Sequence, residues 1–536
     1  MNPVSLSSSV STDRRVATRS RRGCWTCRLK KVKCDEEQPQ CQRCRRLRRL
    51  CDYRPRPDPR SGSAGSWNSS NPGELTLQLP AFSSSPSAVE LTATDHEAIR
   101  YFRTTFARRH HTKNADYSVY SIMFKIAEKE PLVMHTLLAV GCRGIEMGKE
   151  QLAGGRQAPR QQSFGHLFHY SSALKQLTEE LAKDNNSVQN EFNMDVCCTA
   201  LYLMLLYEQN YGDLNRLGLK NHLIGAAMIL RHHGRHIKTE LETIRLTTPS
   251  ALSRRGSSGS LSLYSARILI WILLIDASAS TYGIGGAFND ALYEVLGYSG
   301  PDIGVERLHT FSNPLFRVMW GISYPQMELM DDIENRSVFE LMVSCSQARY
   351  ALALLARTWT EQEAHQRSRH LEKAKSAIQS IAIQYHELLE VANGLLPTTD
   401  NSHRLVANLR GVAPLYHAAV VLFARLTGDS ISSFGRVEPG AHINCIMNLA
   451  RQAYRHEGNN AMIRVAWPLI VVALETHDPQ CREWIRCRFQ ALSSLNRNME
   501  CAYDFLSHYA AQPGARAPWT DPGKWFRSSG GDMFVI

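Results

Sequence analysis

Six cysteines fall within thirty-one residues of this chain, at Cys24, Cys27, Cys34, Cys41, Cys44 and Cys51. Their spacing is C-x2-C-x6-C-x6-C-x2-C-x6-C, which is one unit written twice. Residues 24–35 align with residues 41–52 position by position, placing Arg28 against Arg45 and Lys31 against Arg48. Thiols at this density serve either as a disulfide framework or as soft ligands for a metal ion. The start of the chain, M-N-P-V-S-L-S-S-S-V, has no apolar stretch after a basic start. The expected setting is therefore a reducing intracellular compartment, where metal is favoured over disulfides.

Ligand arithmetic then sets the alternatives. Two separate four-thiolate zinc sites need eight ligands, whereas six suffice if two are shared between a pair of ions. One closed four-thiolate site would instead leave two reactive thiols in a basic neighbourhood. The duplicated half-motif favours sharing, with one bridging thiolate from each half. Six thiolates and two zinc(II) ions carry a net charge of −2, which the surrounding Lys and Arg offset. Each C-x2-C pair can hold a metal at a helix N-terminus, and the x6 that follows has room for about a turn and a half of helix. The apolar side chains nearby are Trp25, Leu29, Val32, Leu47 and Leu50, too few for a hydrophobic core. Metal binding must supply the folding free energy of such a unit.

The charge of the chain sits in the same place. Residues 1–60 carry 17 Lys and Arg against 6 Asp and Glu, a net of +11, while the whole chain carries +12. The remainder is close to neutral. A polyanion-binding head on a neutral body is the expectation.

With these residues in view, the segment resembles the fungal Zn2Cys6 binuclear-cluster transcription factors. It matches all six cysteines, the basic run R-L-K-K-V-K and the loop proline Pro39. The resemblance implies two Zn2+ ions, one on Cys24, Cys27, Cys34 and Cys41 and the other on Cys24, Cys41, Cys44 and Cys51. It also implies a first helix end-on in the major groove over a CGG triplet, with Lys30 and Lys31 reading bases, a sensible pairing for guanine O6 and N7. Arg28, Lys33, Arg43, Arg45 and Arg46 are then candidates for phosphate contacts, which position the module without reading sequence.

The fold class expected is mostly α, in four parts: a disordered basic arm (1–20), the zinc-cluster DNA-binding domain (21–54), a flexible linker (55–93) and a large all-α regulatory domain (94–536). Residues 54–90 hold six prolines with many Ser and Gly and no a/d heptad. Without a coiled coil to fix a second head, the chain binds as a monomer or dimerises through its helical body. From Thr94 the pattern turns amphipathic, with Thr94 and Glu97 as a capping box. Helices are expected over 131–147, 164–183, 194–211, 219–233, 264–282, 336–358, 361–393, 403–426, 440–456, 460–475 and 480–511, with polar loops at 149–162 and 239–262. The segments 131–141, 222–230, 320–333 and 467–476 resemble the helical regulatory region that follows many fungal zinc clusters.

Other constellations carry less. Asp331-Asp332-Ile333-Glu334 evokes a magnesium–diphosphate site but has no second metal motif beside it, and a cap or turn after Pro325 accounts for it. The histidines at 110, 111, 232, 233 and 236 lack matching ligand spacing, and Gly283-Ile284-Gly285-Gly286 lacks the lysine and the strand of a phosphate loop. Ser257, after Arg254-Arg255-Gly256, is a candidate phosphorylation site. The eight other cysteines read as small buried hydrophobes. The longest apolar run, Val465 to Leu474, is short of a membrane span, so no membrane partner is expected.

The sequence thus points to a nuclear DNA-binding regulator of RNA polymerase II transcription. Double-stranded DNA, the transcription machinery or co-regulators, and a small-molecule effector are its expected partners, and no catalytic residues are assigned. The rival, an RNA- or single-strand-binding zinc module, would need aromatic platforms beyond Trp25 and Tyr53.

Overall fold

The computed structural model describes residues 24, 27, 32–38, 40–47, 51, 89–110, 112–152, 165–183, 192–244, 261–297, 304–360, 364–401, 403–428, 439–510 and 533–536. The chain divides into two compact units, Met1–Thr76 and Leu77–Ile536. The basic arm, most of the linker, Arg28, Lys30, Lys31, His111 and Ser257 lie outside the described residues.

The first unit contains one described helix, α1 (Gln42–Arg46). Its core is five buried cysteines, with Val32 and Cys51 packed against them. No aliphatic side chain is fully buried there among the described residues, as the composition required.

Among the described residues the second unit is helical and has no strand. Its elements are α2 (Ala93–Tyr101), α3 (Val119–Ala127), α4 (Pro131–Leu152), α5 (Gly165–Lys183), α6 (Met194–Tyr211), α7 (Leu217–Ile244), α8 (Leu263–Ser280), α9 (Ala287–Leu296), α10 (Gly304–Ser312), α11 (Leu315–Trp320), α12 (Gln326–Glu334), α13 (Arg336–Thr360), α14 (Ala364–Gln384), α15 (His386–Asn393), α16 (Arg404–Thr427), α17 (Pro439–Glu457), α18 (Asn459–Met462), α19 (Ala466–Glu475), α20 (Pro479–Leu492) and α21 (Arg497–Ala510). Sequence neighbours pack together, as α4 with α5 and α16 with α17, and α8 and α13 join the two halves of the array.

Several boundaries differ from expectation. The capping box is Thr92 with Asp95, not Thr94 with Glu97: Thr92 Oγ1 accepts from the Asp95 amide at 3.2 Å and Asp95 Oδ2 accepts from the Thr92 amide at 2.8 Å. Tertiary structure selects this pair, because Asp95 Oδ1 also meets His169 Nε2 at 3.0 Å and His169 Nδ1 meets His135 Nδ1 at 2.9 Å. A π-helical turn (Phe102–Phe106) follows α2 and stacks Phe102 on Phe106 at 5.5 Å. The stretch 361–393 breaks at Tyr385, 460–475 becomes α18 and α19, and 480–511 becomes α20 and α21. Helices α4 and α7 run on into the two expected loops, to Leu152 and Ile244.

Among the described residues three helices, Leu263–Ser280, Arg336–Thr358 and Arg404–Thr427, are long and apolar enough to cross a membrane. They are mostly buried within the unit, so packing accounts for their composition. Asp276 illustrates how polar groups are accommodated there. Fully buried on α8, it accepts from the amides of Gly286 at 2.8 Å and Asn289 at 2.9 Å, capping α9. Gly286 has φ of 112°, the left-handed region in which glycine is unstrained, so this glycine turn is a helix entry.

The α2–α4 contact depends on a missing side chain. A Cβ at Gly141 would lie 2.5 Å from Ala98 O, whereas one at Gly148 on the same helix would meet nothing within 4 Å. Gly141→Ala is expected to destabilise the unit by about 1–3 kcal/mol through overpacking. Gly148→Ala should stabilise it by up to about 1 kcal/mol through helix propensity. Urea denaturation of the two variants checks the opposite signs.

Candidate zinc centre and nucleic-acid interface

Geometry in the first unit repeats the sequence duplication. The Cys27 amide donates to Cys24 Sγ at 3.4 Å, as the Cys44 amide does to Cys41 Sγ at 3.4 Å. Likewise the Cys24 amide donates to Cys34 Sγ at 3.4 Å and the Cys41 amide to Cys51 Sγ at 3.2 Å. Each half therefore folds its first cysteine back onto its third and its second onto its first.

Two tetrads of sulfur result. Cys24, Cys27, Cys34 and Cys41 form one and Cys24, Cys41, Cys44 and Cys51 the other, each with its sulfurs within 4.8 Å of one another. Cys24 and Cys41 belong to both. Cys24 and Cys41 lie 3.8 Å apart, as do Cys24 and Cys44, and Cys27 and Cys41. Tetrahedral zinc with Zn–S bonds near 2.3 Å requires sulfurs about 3.8 Å apart, so the tetrads fit that ion. None of the six cysteines is in a disulfide, and among the described residues no other group offers four sulfurs.

Electrostatics point the same way. Burial pushes the Cys24 and Cys27 thiols up, and the Cys44 thiol up to about 12. Burial also acts to raise Cys41, but the Cys44 amide and the neighbouring thiols outweigh it and bring that group down to about 6. A buried set of this kind ionises fully only with a cation, and metal uptake releases the protons. The amides that point at sulfur supply the outer hydrogen bonds such a cluster needs.

The described basic residues around the sulfurs face solvent. Helix α1 buries Cys44 and leaves Arg43, Arg45 and Arg46 exposed, as Lys33 is on the preceding loop. Asp35 ties the halves together, its Oδ1 accepting from the amides of Glu37 at 3.2 Å and Gln42 at 3.1 Å, and its Oδ2 from Arg43 at 3.5 Å. Slight desolvation opposes the effect, yet these amides hold the Asp35 carboxyl below the usual range. Glu36 adopts a left-handed φ of 65°, which turns its amide to Cys34 Sγ at 3.4 Å. Neither Asp35 nor Glu36 was singled out from sequence. The repeat hinted at Asp35, because Asp52 occupies the matching position.

The remaining constellations resolve as structural contacts. Asp332 pairs with Lys113 at 2.5 Å and with Arg404 at 3.1 Å, within the helix that starts after Pro325. His233 stacks on Phe192 at 4.4 Å and the His110 ring lies tilted against Phe106 at 4.5 Å, both half-buried, while His232 and His236 are exposed. Outside the cluster, Cys197, Cys198, Cys345, Cys481 and Cys501 are buried, and Cys142, Cys445 and Cys487 half-buried. Asp95, Cys142 and His169 also converge, a grouping not foreseen, but Asp95 and His169 are already satisfied by each other, Thr92 and His135.

Both units match family models. Residues 22–60 match the fungal Zn(2)-Cys(6) binuclear cluster domain and residues 100–509 the fungal specific transcription factor domain. Among curated relatives, the aspercryptin biosynthesis cluster-specific transcription regulator atnN of Emericella nidulans is 60% identical over 37 residues, 7% of this chain and 6% of that one. The transcriptional regulatory protein UME6 of Saccharomyces cerevisiae is 61% identical over 36 residues, 7% of this chain and 4% of that one. The transcriptional regulatory protein pro1 of Neurospora crassa is 53% identical over 36 residues, 7% of this chain and 5% of that one. The match thus spans only a small part of each relative's length, and no solved structure matches the chain. With most of its length matched by the helical domain and its cysteine cluster by the zinc domain, the chain belongs to the fungal zinc-cluster transcription factors, DNA-binding regulators whose binuclear cluster holds two zinc ions.

Proposed function

We propose that this protein is a nuclear regulator of RNA polymerase II transcription that reads a CGG-type element in duplex DNA and acts by binding, not by catalysis. The observation that carries the reading is the pair of sulfur tetrads sharing Cys24 and Cys41, set in the one strongly basic part of the chain. In this reading Cys24, Cys27, Cys34, Cys41, Cys44 and Cys51 hold the two ions, and Lys30 and Lys31 meet guanine edges. Arg28, Lys33, Arg43, Arg45 and Arg46 meet phosphates. The zinc ions supply fold, while the side chains supply recognition. The helical unit connects the head to co-regulators and to a small-molecule signal, and dimerisation, where it occurs, runs through that unit. Phosphorylation at Ser257 would add negative charge beside Arg254 and Arg255.

Fluorescence anisotropy of the zinc-loaded full chain on CGG-bearing and scrambled duplexes tests the reading. Lys31→Ala is expected to cost about 1–3 kcal/mol on the CGG duplex and to erase discrimination between the two. Arg46→Ala should weaken both duplexes alike and lower the salt slope by about 1. Equal losses on both duplexes for both variants would rule out base reading by Lys31.

A further inference from the structure

Within the helical unit, α8, α10, α13 and α16 surround a cavity of about 1140 Å³. Small-molecule sites are concave, mostly apolar and provided with a few convergent polar groups. Here the apolar walls come from Trp271, Leu274, Phe311, Phe339, Met342 and Leu415. Two polar side chains line the same space from deep positions: Arg267, 8% exposed, and His309, 2% exposed. They flank one ring, with Arg267 Cζ 4.6 Å and the His309 ring 4.9 Å from the centre of Phe339.

The charges of the cavity are unequally matched. Lys113 and Arg404 at its rim are paired with Glu328 and Asp332, and Arg464 is paired with Glu457. Arg267 has no such partner among the described residues. Its Nε donates to Ser312 Oγ at 3.0 Å, and its Nη2 to Ser312 O at 3.1 Å and to Asn313 Oδ1 at 3.5 Å, all neutral acceptors. Its charge is felt by Asp332 at longer range, but that carboxylate is already paired with Lys113 and Arg404. A buried guanidinium with no carboxylate in contact is costly and is stabilised by an anion that reaches it. His309 Nε2 is buried and makes no hydrogen bond, while Nδ1 lies 3.5 Å from Glu340. Burial, with Arg267 and Arg336 nearby, pushes this imidazole down to about 3, so it is neutral, and its one N–H reaches an acidic head in the Nε2–H tautomer.

We infer that the cavity binds an amphipathic organic anion, with its acidic head on Arg267 and His309 and its apolar body against Trp271, Phe339 and Met342. The inference names the class of small-molecule signal for the helical unit. Only the link from binding to transcriptional output rests on the function proposed above.

The test uses the zinc-loaded full chain with 8-anilinonaphthalene-1-sulfonate as fluorescent probe. Its competitors form a matched series: 6-phenylhexanoate, 6-phenylhexan-1-ol and 6-phenylhexylamine. One saturable probe site is expected, with the carboxylate displacing the probe at least tenfold better than the alcohol or the amine. Arg267→Met should abolish that preference while the alcohol competes as before. Met342→Trp, which fills the apolar end, should weaken probe, acid and alcohol alike by at least tenfold, and it serves as the second variant if Arg267→Met does not fold. Equal displacement by acid and alcohol, no saturable probe site, or unchanged binding in Met342→Trp would each overturn the inference. Duplex binding is measured on the same samples. Loss of the cavity site with duplex binding retained refutes this inference alone, whereas an intact cavity site without specific duplex binding refutes only the function proposed for the head.

Discussion

Cys41→Ser is expected to remove both zinc ions, unfold the first unit and reduce specific duplex binding by at least about a thousandfold, to the non-specific level. Cys41 Sγ belongs to both tetrads, so its loss leaves each ion one thiolate short. The same sulfur caps α1 by accepting from the Cys44 amide, which removes the helix start together with the ligand. Among the described residues nothing else compensates, because the buried core there is the cysteines themselves. Structural zinc contributes on the order of 10–16 kcal/mol of apparent binding energy in small zinc domains, more than any side-chain contact here can supply. Cys51→Ser is the control, since Cys51 belongs to a single tetrad. It should leave close to one zinc per chain. Zinc per chain, measured by elemental analysis after dialysis, separates the two. Retention of one ion in Cys41→Ser together with loss of both in Cys51→Ser would refute sharing by Cys41.

Removing Met533–Ile536 should unfold the helical unit while leaving zinc loading of the first unit intact. Met533, Phe534 and Val535 are buried, and Phe534 packs against Tyr282 at 5.1 Å and Phe505 at 5.3 Å. Polar groups from four helical regions close on the same short segment. Arg216 Nε donates to Met533 O at 2.9 Å, Arg349 Nη2 to Ile536 O, and Gln209 Nε2 to Val535 O at 3.1 Å. Asn498 pairs with Val535 in both directions, at 2.7 and 2.8 Å. Arg216 is fully buried, so the truncation strands a guanidinium that has lost one of its carbonyl acceptors. Phe534→Ala alone should cost about 3–5 kcal/mol. The full deletion adds about 1–3 kcal/mol for each stranded group and so approaches the whole stability of a typical domain. Urea denaturation followed by circular dichroism measures both. A deletion variant with an unchanged midpoint would show that the segment is a passenger.

The helices were legible where an apolar stripe persisted over three turns or more, as in α4, α6 and α16. The helices that were missed share a cause. Helices α9 to α12 are short, and several turn at glycine or proline, so no window is long enough to show a 3.6-residue period. Tyr385 continues the apolar stripe of α14 and gives no stop signal, yet the helix breaks there. Thr92 and Thr94 are equally good caps on paper; His169, 74 residues away in sequence, selects Thr92 by engaging Asp95.

What the sequence determined by itself is the chemistry of the head. Ligand type, ligand number, the duplication and the local excess of charge are all one-dimensional properties, and coordination allows few ways to satisfy six thiolates in thirty-one residues. The tertiary structure adds the distances that place Cys24 and Cys41 in both sulfur tetrads, because such proximity is a matter of geometry between the two halves. It also decided that a four-residue segment completes the helical core, and that Arg267 and His309 meet across one aromatic ring in a cavity. Those contacts join residues far apart in the chain, held together by burial that leaves no local periodic signal.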